Sequence, residues 1–180
     1  MFNIKTVALS GLAGLLFCVP PLFAQTPPSK AQLTKFLDQA SQDNKKEEAE
    51  GSLAITQAGR NLPLKSFGSM LKADHRVNEE AVESLAAMKN ISLSHTTMPP
   101  GSESLEHMTG NRFAAALAAN EIKDHQKAIQ KFQKAESEFQ SDPQVETYIK
   151  QTLPVLQTHL NEAQLLQQHL QKQQQKTALK

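Results

Sequence analysis

Apolar residues recur every three or four positions along most of the chain, and this spacing predicts amphipathic α-helices. The first predicted helix begins after Ser29, which stands three residues before Gln32 as in a capping box, and it ends at Gly59. The second begins at Asn61 and ends near Asn90. No stretch alternates with the period of two that a half-buried strand requires, so the pattern predicts an all-α protein.

The second half of the chain repeats this arrangement after a long connection over residues 91–110. A third helix begins near Asn111, and a fourth begins at Asp142 and Pro143, a capping residue followed by a first-turn proline. Pro154 inside the fourth helix predicts a kink. Because no single helix can bury its apolar stripe alone, the four predict an antiparallel four-helix bundle, either up-and-down or crossover.

Each apolar stripe is interrupted near its middle by side chains that can bind a metal ion or a proton. The interrupting residues are Asp43, Glu47, Glu50, Asp74, His75, Asn78, Glu121, Asp124, His125 and His159. At about 1.5 Å per residue, the interruptions lie roughly 20–27 Å from the turn of each hairpin, and therefore at one level of the bundle. Burying unpaired charge there is costly, so these groups are expected to contact one another, a metal ion or water.

Histidine and carboxylate groups from all four helices predict a metal site at this level. The predicted ligands are Glu47, His75, His125 and His159, and Asp74 and Asp124 are predicted to orient histidine rings. The alternative is a polar layer that only fixes the register of the helices, because a histidine on an apolar face is more often a hydrogen-bonded core residue than a ligand. No catalytic residue is identified.

The amino terminus has the features of a secretory signal peptide over residues 1–24. One lysine is followed by a thirteen-residue apolar run over residues 7–19, about 20 Å of helix and too short to span a bilayer. Cleavage is predicted after Ala24, which implies a periplasmic or secreted protein. Phe17 before Cys18 disfavours a lipid-modified cysteine. Residues 25–31 then lead to a bundle domain over 32–166 and a glutamine-rich tail, helical or disordered, over 167–180.

Composition removes several classes of function. The chain has 19 basic and 18 acidic residues, so no nucleic-acid binding is expected. Its single cysteine lies in the predicted signal peptide, which excludes a disulfide framework and a cysteine nucleophile from the mature chain. No later stretch is apolar enough for a transmembrane segment. Lysines such as Lys46 and Lys127 are interspersed with carboxylates, which is typical of a solvated helix face.

Several short segments together resemble a known family. They are Met70–His75, Lys123–His125, Leu153–Leu160, and Glu47 with Gly51–Ala54. Over residues 32–166 the chain resembles the secreted bacterial family catalogued as domain of unknown function 4142. The resemblance implies a ferritin-like bundle and a periplasmic or outer-membrane location, and it implies no established activity.

The chain departs from related patterns at two places. Members of that family usually carry Phe-Asp-x-x-Tyr where this chain has Phe113 followed by three alanines and Leu117. The Glu-x-x-His motif of ferritin di-iron sites is also absent, because Lys72 and Leu156 stand three residues before His75 and His159. A ferroxidase of that design is therefore not expected.

Three functions remain compatible with these patterns. The first is a non-catalytic envelope protein that binds a metal ion, with Zn, Cu and Fe as candidates, or a small ligand at mid-bundle. The second is a structural module that binds an envelope protein partner and no metal. The third, a metal-dependent enzyme, has no motif in its favour. The sequence does not define the oligomeric state.

Overall fold

The computed structural model describes residues 28–94 and 103–179, except the side chains at positions 103, 104 and 177. The predicted signal peptide lies outside the described residues. These residues form five helices: α1 Lys30–Gln57, α2 Leu62–Met88, α3 Glu103–Glu106, α4 Gly110–Glu138 and α5 Pro143–Ala178. The described residues contain no strand, and the four long helices form the predicted all-α four-helix bundle.

The predicted capping residues begin three of the long helices. The Ser29 hydroxyl accepts the Gln32 backbone N–H at 3.2 Å, and the Gln32 side chain accepts the Ser29 backbone N–H, which completes the capping box of α1. Asn61 caps α2 through the Leu64 N–H, and Asp142 caps α5. These bonds satisfy backbone donors that a helix start leaves without partners.

Two hydrophobic clusters occupy the two ends of the bundle and reveal the direction of each helix. The first joins the start of α1 and the end of α2 to the end of α4 and the start of α5; it includes Phe36, Leu37, Val82, Leu85, Phe132, Phe139, Tyr148 and Ile149. The second joins the opposite ends of the same helices; it includes Ala54, Leu64, Phe67, Phe113, Leu117, Ala163 and Leu166. Since α2 ends at the first cluster and α4 begins at the second, these two helices run in the same direction.

The connection from α2 to α4 therefore begins at one end of the bundle and finishes at the other. Ile91 near its start is buried in the first cluster, and Leu105 of α3 near its end is buried in the second. This is a crossover bundle with one long connection, the topology of ferritin-like folds. The structure thus decides between the two arrangements that the sequence left open.

The helices pack most closely within the hairpins α1–α2 and α4–α5, and α2 also packs along α5. The contact between α1 and α4 is the least extensive of these four interfaces. Helix α5 continues through Pro154 and through the glutamine-rich segment to Ala178, and Leu170 is buried in the second cluster. Among the described helices, none has the length and apolar character needed to cross a membrane.

Two glycines allow the backbones of α1 and α2 to approach closely. A Cβ atom at Gly68 would lie 2.6 Å from the Ala54 Cβ and 2.8 Å from the Gly51 carbonyl oxygen. A Cβ atom at Gly51 would lie 2.7 Å from the Gly68 carbonyl oxygen. Any side chain at either position would therefore push the two helices apart.

Gly68→Ala is expected to lower the free energy of unfolding by about 1–3 kcal/mol, although alanine has the higher helix propensity. Urea denaturation measures the change. Ser69→Ala at the exposed neighbouring position is the matched control and is expected to change stability by less than about 0.5 kcal/mol. Equal stabilities of the two variants would show that the close approach does not limit the packing.

Candidate metal centre

A layer of buried polar side chains separates the two hydrophobic clusters. All four long helices contribute to it, and its members are Ser41, Asn44, Glu47, Glu50, His75, Glu79, Glu121, His125, Thr152 and His159. Seven of these residues have a titratable or metal-binding group, which is rare in a bundle core unless the groups are paired or bind a metal ion.

Three histidines from three helices meet at the centre of this layer. His75 of α2, His125 of α4 and His159 of α5 are 4%, 2% and 0% exposed. His159 Nδ1 lies 3.2 Å from His75 Nε2 and 3.2 Å from His125 Nε2. One ring nitrogen from each of the three histidines lies within 4.8 Å of the other two.

The remaining nitrogen of His75 faces a fixed hydrogen-bond acceptor. His75 Nδ1 lies 3.0 Å from Asn44 Oδ1, which also accepts from Asn78 Nδ2 at 3.2 Å. Asn44 Nδ2 lies 3.5 Å from the Glu79 carboxylate, so the amide orientation is set by its neighbours. His75 therefore donates through Nδ1 and leaves the lone pair of Nε2 directed at the other histidines.

The other two rings are oriented in the same way. His159 Nε2 lies 2.9 Å from Asp74 Oδ2, and His125 Nδ1 lies 3.0 Å from the Glu121 backbone carbonyl. Both partners are oxygen atoms that can only accept, so each of these nitrogens donates its N–H. The lone pairs of His159 Nδ1 and His125 Nε2 then face the lone pair of His75 Nε2.

Three converging lone pairs repel one another unless a metal ion or an additional proton lies between them. Nitrogen ligands about 2.0–2.1 Å from a tetrahedral metal ion are roughly 3.3 Å apart, close to the two measured separations of 3.2 Å. A ligating histidine also commonly donates its other N–H to a carboxylate or a backbone carbonyl. The three histidines therefore have both the spacing and the outer hydrogen bonds of a metal site.

Of the four predicted ligands, three converge and the fourth lies in an adjoining group. Glu47 has a carboxylate oxygen within 4.8 Å of ligand atoms of Glu121 and His125. Within the described residues, no group of mutually close ligand atoms unites Glu47 with all three histidines. Glu121, which the sequence placed at the right level but outside the ligand set, occupies this second group instead.

The two predicted orienting aspartates differ in their contacts. Asp74 contacts a ring as expected, although the ring is that of His159 on α5 and not its neighbour in sequence. Asp124 lies 3.2 Å from Lys46 Nζ and 3.7 Å from Lys127 Nζ. No hydrogen bond to a histidine ring is found for Asp124 in the described part of the chain, so its contacts do not give it the predicted orienting role.

Lys46 is largely buried, although the sequence predicted it on a solvated helix face. Its side chain is only 15% exposed, and its Nζ lies 3.2 Å from Glu47 Oε1 and 2.7 Å from Glu50 Oε2. Burial alone would lower the pKa of Lys46, but the Glu47 and Glu50 carboxylates raise it above its usual value. The ammonium group is therefore charged and is held against α1 and α4.

The pKa values of the buried carboxyl groups are displaced in opposite directions. Burial and the nearby Glu47 charge raise the pKa of Glu121 well above its usual value, and they also raise the pKa of Glu50. Burial alone would raise the pKa of Glu47, but the neighbouring Glu121 carboxyl group and the charge of Lys46 lower it to about 2. In the absence of a metal ion, burial thus favours a protonated Glu121 beside an ionised Glu47.

Burial also favours neutral imidazole rings. It lowers the pKa of His75 to about 3, although the Glu47 charge opposes the shift, and it lowers the pKa of His125. Both rings are therefore neutral at pH 7. A neutral ring is the form that offers a lone pair to a metal ion.

A cavity of about 410 Å³ reaches this layer between α1 and α4. His75 and His125 line it together with Glu47, Lys46 and Asp124, and the sparse contact between α1 and α4 leaves the space for it. His159 does not line this cavity and is completely buried. A small molecule or ion entering the cavity would therefore meet two of the three converging histidines.

The donor set does not fit the di-iron centre of ferritin-like proteins. That centre uses Glu-x-x-His motifs on two helices. Lys72, Ile122 and Leu156 stand three residues before the three histidines. The group that converges here consists of imidazoles, so a di-iron carboxylate site of that design is not supported.

The fold and this layer define a crossover four-helix bundle with a buried histidine and carboxylate centre. Residues 19–166 match the family described as "Domain of unknown function (DUF4142)", and the chain belongs to that family. No curated protein and no solved structure matches the chain.

Proposed function

We propose that this protein is an envelope metal-binding protein whose bundle core holds one divalent transition metal ion. The ligands are His75 Nε2, His125 Nε2 and His159 Nδ1. The observation that supports this proposal is the direction of the rings. The outer nitrogen of each ring faces an oxygen acceptor, while the inner nitrogen of His159 stands 3.2 Å from the inner nitrogen of each other ring. A hydrogen-bonded core histidine needs no such convergence with two others.

Three imidazoles favour Zn²⁺ or Cu²⁺ over Mg²⁺ or Ca²⁺, which prefer oxygen ligands. Three protein ligands also leave a tetrahedral ion one coordination position for water or a small ligand. The cavity between α1 and α4 provides access to His75 and His125 at this position. The metal would therefore be exchangeable through this side of the bundle.

Metal analysis of the purified protein tests the proposal. We expect about one equivalent of bound metal per chain after dialysis against Zn²⁺, and we expect the loss of most of it in the His75→Ala, His125→Ala double variant. Equal and substoichiometric metal in both preparations would contradict the proposal. Circular dichroism of the variant shows whether the bundle is still folded.

A matched pair of aspartate variants tests the orientation of the rings. Asp74→Asn removes the carboxylate that accepts from His159, and a loss of metal affinity of about 10–100-fold is expected. Asp124→Asn changes a carboxylate that forms ion pairs with Lys46 and Lys127, and a change in metal affinity of less than about threefold is expected. Equal effects of the two substitutions would contradict the assigned geometry.

We propose a periplasmic location for the mature protein, starting at Gln25. Support comes from the apolar run over residues 7–19, the small residue at Ala24 and the absence of cysteine after position 18. The mass of the protein purified from the periplasm for metal analysis measures the cleavage position. A full-length mass in the cytoplasmic fraction would contradict this location.

The second candidate is a structural or protein-interaction module without metal. The hydrogen bonds that favour it join α1, α2 and α5 around Asn44 and Asn78. Glu79 accepts from Ser41 at 2.6 Å, and Thr152 donates to Asn78 at 3.3 Å. Such a network fixes helix register by itself. The thermal stability of such a module should not respond to chelators or Zn²⁺, whereas that of a metal-binding protein should.

A further inference from the structure

Three glutamates form a buried acidic cluster beside the three histidines, with Glu121 one helical turn before His125 on α4. Glu47 and Glu50 of α1 and Glu121 of α4 are 5%, 0% and 0% exposed. Their charges act on one another, and the Glu121 carboxyl group neighbours both Glu47 and Glu50. Burial of three carboxyl groups together is costly unless cations or protons compensate their charges.

Lys46 compensates only part of this cluster. Its Nζ contacts Glu47 Oε1 and Glu50 Oε2, which leaves the second oxygen of each carboxylate and both oxygens of Glu121. Those four buried atoms, Glu47 Oε2, Glu50 Oε1, Glu121 Oε1 and Glu121 Oε2, have no hydrogen-bond partner in the described part of the chain. When all three carboxyl groups are ionised, they and the Lys46 ammonium group leave two negative charges, the charge that a divalent cation neutralises.

We propose that Glu47 and Glu121, with the Glu50 carboxyl group beside them, form a second cation site. Their oxygen ligands favour a divalent ion such as Mn²⁺. The proposal goes beyond the three-histidine site and does not require it. Carboxylate oxygens of Glu47 and Glu121 lie within 4.8 Å of each other, so one ion can contact both carboxylates.

His125 places the two sites side by side. Its Nε2 lies 3.2 Å from His159 Nδ1 in the three-histidine site, and its Nδ1 lies 3.3 Å from Glu121 Oε2 in the acidic cluster. Softer nitrogen ligands on one side and carboxylate oxygens on the other would select different metal ions. The bundle core would then bind two unlike cations.

Access to the acidic cluster runs through the cavity between α1 and α4. Glu47, Lys46 and Asp124 line that cavity, while Glu50 and Glu121 lie deeper in the core. The Lys46 side chain covers the cluster from the cavity and has four flexible methylene groups that allow it to move aside. An incoming ion therefore exchanges for protons held among the three carboxyl groups.

Mn²⁺ titration of the chelator-treated protein tests this proposal. The electron paramagnetic resonance signal of free Mn²⁺ disappears on binding, so the bound fraction is measured directly. We expect one Mn²⁺ per chain in the wild type, both with and without one equivalent of Zn²⁺. We expect the same in His159→Gln, because that substitution removes a ligand of the other site only.

Two substitutions in the cluster and one outside it provide the comparison. Glu121→Gln and Glu50→Gln are each expected to weaken Mn²⁺ binding by about tenfold or more. Glu121→Gln removes an anionic oxygen ligand, Glu50→Gln removes a neighbouring negative charge, and both keep the side-chain shape. Glu80→Gln changes an exposed carboxylate on α2 and is expected to have no effect. Circular dichroism and urea denaturation of each variant show whether the fold is intact.

The possible results separate the two proposals. Absence of Mn²⁺ binding at millimolar concentration, or wild-type affinity in both cluster variants, would overturn the second site and leave the carboxyl groups as proton holders. Mn²⁺ binding that depends on Glu121 supports the second site even if no Zn²⁺ binds. Zn²⁺ binding without any Mn²⁺ site would retain the proposed function and overturn this inference.

Discussion

Chelator-treated protein is expected to gain about 2.7 kcal/mol in free energy of unfolding when free Zn²⁺ reaches about 100 times its Kd. The folded chain holds His75, His125 and His159 together, whereas the unfolded chain separates them, so Zn²⁺ binds mainly to the folded state. Thermal denaturation at fixed protein concentration, with and without Zn²⁺, measures this gain. Addition of excess chelator should remove it.

His159→Gln is expected to lose this zinc-dependent gain. The substitution removes the nitrogen that contacts both other rings, and the remaining two imidazoles make a much weaker site. His169→Gln is the matched control, because His169 lies ten residues further along α5 and contacts Gln173 instead of the layer. If wild type and His159→Gln respond equally to Zn²⁺, the structural module is the better account of the polar layer.

Glu121→Gln is expected to stabilise the metal-free protein at pH 8 by about 1–3 kcal/mol and to have a smaller effect at pH 5. Burial and the Glu47 charge raise the pKa of Glu121 above its usual value of 4.5. The folded state therefore keeps a proton that the unfolded state releases above pH 4.5. Stability is lost as the pH rises from there, and a glutamine at this position removes that loss.

Burial of His75 gives the folded protein the opposite pH dependence, because it lowers the free energy of unfolding as the solution becomes more acidic. The pKa of His75 is about 3 in the folded protein against 6.5 in an unfolded chain, mainly because of burial. The unfolded state takes up a proton first, so stability falls as the pH decreases from about 6.5 towards 3. The two effects oppose each other between about pH 4.5 and 6.5, so metal-free wild type should be most stable within that range.

Urea denaturation across pH 4–9 measures both effects, and Glu80→Gln serves as the exposed control. A Glu121→Gln variant that is less stable than wild type at pH 8 would contradict the protonated state assigned to Glu121. If the second cation site exists, the same substitution also weakens Mn²⁺ binding. Stability without metal and metal binding would then change in opposite directions, as expected for a site that is strained when empty of ligand.

The sequence predicted the helices well because their signals are local. The spacing of apolar residues, the capping box at Ser29 and the first-turn proline at Pro143 all act within a few residues of one another. The four-helix bundle is confirmed for the same reason, since each long helix has one apolar face to bury. The polar layer was also predictable, because distance from a turn gives height along a helix.

The contacts of Asp74 and Asp124 illustrate what local pattern could not provide. Each aspartate precedes a histidine, but successive residues on a helix point in different directions and do not contact each other. Asp74 reaches His159 because α2 packs against α5, whereas Asp124 meets Lys46 because α4 lies beside α1. The same dipeptide therefore has two different environments, and helix pairing alone distinguishes them.

Lys46 was misjudged for a related reason. It lies near the edge of a helical stripe, and whether such a residue is buried depends on how far each helix is rotated in the bundle. Here α1 and α4 face each other across the cavity, which brings the Lys46 ammonium and the Glu121 carboxyl group into the core. No periodic signal in one helix contains that rotation.

The sequence by itself determined four amphipathic helices and a level at which their histidines and carboxylates meet. The tertiary structure decided that the connection from α2 to α4 crosses the bundle, and it decided which ring nitrogens converge. Periodicity is a property of each helix separately, whereas convergence depends on pairing, rotation and the hydrogen bonds behind each ring. For this reason the three histidines lie in one group of ligand atoms, while Glu47 lies with Glu121 in a second group.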